Sequence, residues 1–132
     1  MKLFIEKEST AEEIKKIFTT CYPYLKIELY QKLPNSNDMT TKKERLPLNF
    51  SMNQFLKNTG KGIVNIDNDI TVAELENQFT NIGVNADIFR RLGNVWVKAS
   101  LTINWTLQQQ NMEGEEISRY CIKKKAATQD GT

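Results

Sequence analysis

The chain has 132 residues, 26% of them charged and 39% hydrophobic, with a formal net charge of +2. That is one domain's length around a single core, too apolar for a disordered segment and too weakly charged to require a polyanion partner. It contains no histidine, which removes Ser–His–Asp and Cys–His nucleophilic sites, the usual zinc centres and the commonest general base.

The opening stretch, MKLFIEKEST, has too short an apolar run for a secretory signal, and no later run approaches the length of a membrane span. A cytoplasmic protein without membrane contact is the expectation. Cys21 and Cys121 match no metal or redox spacing, so reduced thiols are expected, with no metal site and no cofactor.

A short strand near Leu3 leads to Thr10, and Thr10 with Glu13 forms the Thr-x-x-Glu box that opens a helix. Ile14 and Phe18 lie one helical turn apart on its apolar face. The alternating stretch YLKIELYQK then reads as a second strand, with Leu25, Ile27 and Leu29 on one side and Tyr24, Lys26, Glu28, Tyr30 and Lys32 on the other. The strand–helix–strand unit spans 2–32. A loop and a short helix are predicted over 33–61, the helix within SMNQFLKNTG.

A second strand–helix–strand unit at 62–91 repeats the first. At a constant offset of 61 residues, Leu3 meets Val64, Ile5 meets Ile66, Thr10 meets Thr71, Glu13 meets Glu74, Phe18 meets Phe79 and Ile27 meets Ile88. Two such units suggest an α+β fold, a duplicated βαβ with a ferredoxin-like sheet and both helices on one face.

Gly93-Asn94 is a two-residue hairpin turn that adds a fifth, antiparallel strand, running to about Ile103. Thr106 and Gln109 start a C-terminal helix, so that the hairpin strand and helix occupy 94–118 of a single domain, 1–122. The residues 123–132 read as a flexible tail.

The hairpin turn sets a register. Leu92 faces Val95, Arg90 faces Val97 and Ile88 faces Ala99 on a side expected under the helices; Arg91 faces Trp96 and Phe89 faces Lys98 on the other. The outer face then carries Tyr24, Tyr30, Phe89, Arg91, Trp96 and Lys98, the candidate binding or self-association residues, together with Phe4, Lys26 and Lys32. So many aromatics on one face call for a cover. The mid-chain loop or C-terminal helix, a second copy, or a ligand could supply it.

Other chemistry is weak. Asp67 and Asp69 begin like a calcium loop, but Val72 and Gln78 stand where its glycine and glutamate belong. NTGKG has no Walker spacing, and the basic residues Lys42, Lys43 and Arg45, like Lys123–Lys125, read as solvated. RLGNVWVKAS echoes the aromatic motif of RNA-recognition domains only loosely.

The stretches ITVAELENQF, IFRRLGNVW and WTLQQQNMEGEEIS resemble a group of small uncharacterised bacterial proteins sharing TVAELE, FRxxGNxW and WTLxxQNxxG segments; YPYLKIELY is similar to one of their strands. No activity comes with that resemblance. The expectation is a non-enzymatic, self-associating binding or assembly module, a homo-oligomer and first of all a dimer. The alternative is single-stranded nucleic-acid binding by the same aromatic and basic face.

Overall fold

A computed structural model of the chain describes residues 1–32, 43–52 and 61–130, with side chains described for 1–31, 44–52 and 62–120. The elements run β1 (Lys2–Glu6), α1 (Ala11–Cys21), β2 (Leu25–Lys32), β3 (Lys43–Arg45), β4 (Lys61–Asn65), α2 (Val72–Asn81), β5 (Asn85–Leu92), β6 (Val95–Lys98) and α3 (Leu107–Asp130). The fold is α+β.

Each helix begins where a side chain and a nearby segment satisfy its free amides. The Thr10 hydroxyl accepts from the Glu13 amide, and the Ala11 and Glu12 amides donate to the carbonyls of Phe50 and Leu48. The second helix repeats this: Thr71 accepts from Glu74, while Val72 and Ala73 donate to Trp105 and Ile103. At α3 the box is reciprocal, with the Gln109 amide donating to the Thr106 hydroxyl and the Thr106 amide to Gln109 Oε1. The buried stripes of α1 (Ala11, Ile14, Phe18) and α2 (Val72, Leu75, Phe79) keep the spacing of one helical face.

The described strands form two antiparallel sheets rather than one ferredoxin-like sheet: a ribbon, β1–β4, and a four-stranded sheet in the order β3-β2-β5-β6. The reason lies in the edges. β5 is flanked on both sides by β2 and β6, and β2 carries β5 on one side and β3 at Tyr30–Lys32 on the other, while among the described strands β1 and β4 pair only with each other. The first strands of the two units pair with each other instead, Leu3 opposite Val64, and the second strands do likewise, Ile27 opposite Ile88. α1 packs along β2, α2 along β5, and α3 over the far end of β5. Leu3, Ile5, Phe18, Leu25, Ile27, Leu29, Leu75, Phe79 and Ile88 are sealed between these layers.

Other expectations are revised. Within the span read as loop and short helix, Lys43–Arg45 form a strand on β2, held by backbone bonds that three charged side chains do not announce. Beyond Met52, the expected short helix lies outside the described residues. The fifth strand ends at Lys98, and turns fill 101–104. The backbone is helical through Asp130 instead of leaving the helix by 123, since lysine and alanine there are good helix formers and no glycine or proline intervenes before Gly131. Among the described residues, no helix is long and apolar enough to cross a membrane.

Candidate functional site

The hairpin register is the one its turn dictates. Gly93 adopts a positive φ of 67°, which a side chain would resist, and Leu92 faces Val95, Arg90 faces Val97, Arg91 faces Trp96 and Phe89 faces Lys98. Alternation therefore sets Phe89, Trp96 and Lys98 on one face of the four-stranded sheet. Lys26, opposite Phe89, lies in their middle, its Nζ 5.3 Å from the ring centroids of both Phe89 and Trp96. Lys98 Nζ stands 3.4 Å from Asp87 Oδ1 on the same face.

Beside this cluster lies a carboxylate that residue type alone did not single out. Glu28 sits opposite Asp87 with its side chain only 4% exposed. Lys15 Nζ approaches its Oε1 at 3.1 Å, Lys26 Nζ at 3.7 Å, and Arg45 Nε approaches Oε2 at 3.3 Å. Two acidic residues facing each other across a ladder require surrounding cations. That need was the signal available in the sequence, and Lys26 answers it while also engaging both rings.

The remaining candidates are dispersed. Arg91 is exposed and turns its Nε back onto the Gly93 carbonyl at 2.7 Å. Tyr24 precedes β2 and is tied to α3: its amide donates to Asn111 Oδ1, and its Cβ lies under Gly114. Tyr30 stands at the opposite end of the ladder, between Asn85 and Arg45. The structure thus gathers Phe89, Trp96 and Lys98 around Lys26, and leaves Tyr24, Tyr30 and Arg91 at the margins.

One expectation fails on the other face. Val95 and Val97, read as core residues, are 53% and 43% exposed, whereas Ile88 and Ala99 are buried as expected. The described contacts of α3 end over β5, where Gln110 bonds Arg90 and Ser118 bonds the Gly93 amide. β6 lies one strand further out. Its two valines have the right parity for the core, but among the described residues no layer lies above them.

An open groove of about 300 Å³ runs along the start of α3, lined by Trp105, Gln109, Met112, Glu113 and Glu116, and it includes none of the sheet residues above. Among the described residues, no group of three His, Cys, Asp or Glu side chains is placed to hold a metal ion. Comparison with protein-family models, with curated proteins and with solved structures gives no match.

Proposed function

We propose that this chain is a non-enzymatic assembly module that associates with itself through the four-stranded sheet at Phe89, Trp96 and Lys98, with Arg91 at the margin of the contact. One observation carries the reading: among the described strands β6 is at the edge of its sheet, in continuous register with β5, and it leaves Val95 and Val97 exposed beside Trp96. Edge strands of stable monomers are blunted by charge, proline, bulges or a covering loop, because an apolar edge recruits another strand; the one charge on β6, Lys98, is held 3.4 Å from Asp87. The single-stranded nucleic-acid reading needs free ring faces for stacking. The Lys26 ammonium over both rings favours assembly instead.

The test is light scattering with sedimentation over a wide concentration range. A dimer is expected, weakened by Trp96→Ala with circular dichroism unchanged. A native chain that stays monomeric at high concentration overturns the reading. Oligonucleotides are expected to leave tryptophan fluorescence unquenched even at low salt, where phosphate contacts are strongest.

The construction of the chain is part of the same proposal: a duplicated strand–helix–strand unit. Its support is a coincidence between sequence and register. The residues aligned by the repeat, Leu3 with Val64 and Ile27 with Ile88, are also the residues paired across the two ladders. A residue faces its own counterpart only where a two-fold axis crosses an antiparallel ladder, so one pseudo-two-fold axis through both sheets accounts for both pairs.

A further inference from the structure

Strand β6 offers only part of its backbone to the outside. A two-residue turn makes its flanking residues, Leu92 and Val95, a hydrogen-bonded pair, and alternation then does the same for Arg90 and Val97. The Ala99 amide continues that phase by donating to the Ile88 carbonyl at 2.9 Å. Val95, Val97 and Ala99 therefore direct their amides and carbonyls to β5. Trp96 and Lys98 direct theirs away from it, toward an edge where no described strand lies.

We propose that this edge pairs antiparallel with β6 of a second copy, with Val97 on the two-fold axis; the inference rests on the reading of the chain as a self-associating module. Outward groups have to meet outward groups, which excludes every register that sets Trp96 against Val97. Centring the pair on Lys98 brings like charges face to face, which is destabilising. Centring it on Trp96 sets that residue against itself and Lys98 against Asn94.

Centring on Val97 sets each Trp96 opposite Lys98 of the other copy, so the outward amides and carbonyls of both residues are all used. On that face each Lys98 stem packs beside the Trp96 indole of the other copy, and the two Lys98 residues are not set face to face. On the opposite face the two Val97 side chains cover each other. Two four-stranded sheets become one continuous sheet. Because the pairing is isologous, it closes as a dimer rather than growing into a fibre.

The test uses the full chain with Cys21→Ala and Cys121→Ser, carrying Val97→Cys and oxidised at a concentration where light scattering reports dimer. Non-hydrogen-bonded antiparallel partners stand about 4.5 Å apart at Cα, within the roughly 4.4–6.8 Å that a disulfide spans. V97C is expected to run mainly as a covalent dimer on a non-reducing gel, while Val95→Cys, which faces Ala99 instead of itself, is not. Lys98→Pro removes one outward amide and spares the ladder to β5, so it is expected to abolish the dimer without altering circular dichroism. A dimer by scattering that neither cross-links through V97C nor responds to K98P overturns this pairing while self-association stands. A monomer at every concentration overturns both.

Discussion

Ile27 lies directly opposite Ile88 across the β2–β5 ladder, and both are closed off from solvent by α1 and α2. Truncating either to alanine removes buried methylenes and leaves a cavity, at a cost of about 2–5 kcal/mol each. The double variant is expected to cost less than the two single ones together, with coupling of roughly 0.5–3 kcal/mol, because the second truncation removes a contact already lost. Urea unfolding with an unchanged m-value measures it. Strict additivity would mean that the two side chains do not share a contact.

Gly114 sits inside α3, where glycine costs about 1 kcal/mol relative to alanine. Its absent side chain is what lets α3 approach the sheet: a Cβ there would stand 3.0 Å from Tyr24 Cβ, 3.1 Å from Arg90 Cγ and 3.3 Å from the Tyr24 carbonyl oxygen. Overpacking of that kind costs roughly 1–3 kcal/mol, which outweighs the helix propensity gained. Gly114→Ala is therefore expected to lower stability by about 1 kcal/mol. A rise in melting temperature would show that α3 is free to lift off the sheet.

The contrast between these two sites shows what a sequence exposes. Helix starts were legible because a cap is local: Thr10, Thr71 and Thr106 announce themselves within four residues. The hairpin register followed from Gly93-Asn94 alone. Burial was not legible in the same way, because alternation assigns Val95 and Val97 to a face without saying how far the helices reach across it. Nor was β3, whose three charged residues show no apolar alternation. Lys26 was placed on the outer face, but its position at the centre of the candidate site was not legible, for a different reason. Lys26 became central through the register of β2 against β5, two strands far apart in the chain. That register was nevertheless recoverable: had the aligned pair Ile27 and Ile88 been taken as the symmetric point of an antiparallel ladder, Lys26 would have fallen opposite Phe89.

Arg90 is half-buried beneath α3, where its Nη1 donates to Gln110 Oε1 at 2.9 Å and its guanidinium lies 5.4 Å from the Trp105 ring centroid. Its Nε is buried without a hydrogen-bond partner. Gln110, fully buried, spends its amide on the Thr102 carbonyl at 2.6 Å. Replacing Gln110 by leucine strands both Arg90 and Thr102, an expected loss of about 1–3 kcal/mol. Arg90→Met removes the charge together with the unpaired Nε and is expected to cost less. The double variant should recover part of the Gln110→Leu loss, since no stranded guanidinium remains. Chemical denaturation of the three variants sets the order, and an Arg90→Met cost exceeding that of Gln110→Leu would contradict it.

The Tyr22 hydroxyl donates to the Ile66 carbonyl and lies 3.1 Å from Asn68 Oδ1, linking the end of α1 to the end of the ribbon. Burial, followed by the nearby Cys21, Asp67 and Asp69, raises its pKa from the usual 10 to about 12. The neutral phenol is the form the folded state holds. Its contribution is therefore fully present below pH 10, falls between pH 10 and 12 as the unfolded chain ionises first, and is gone above the folded-state value. The slope in that window is at most about 1.4 kcal/mol per pH unit for one proton. Tyr22→Phe is expected to cost about 1 kcal/mol near neutral pH, where the hydrogen bond is lost. From pH 10 upward the variant lacks the titrating group, so the gap to the native chain should narrow and then reverse. A gap that stays constant from pH 8 to pH 11 would mean that the phenol ionises as readily folded as unfolded, and that the hydrogen bond to Ile66 does not hold its proton.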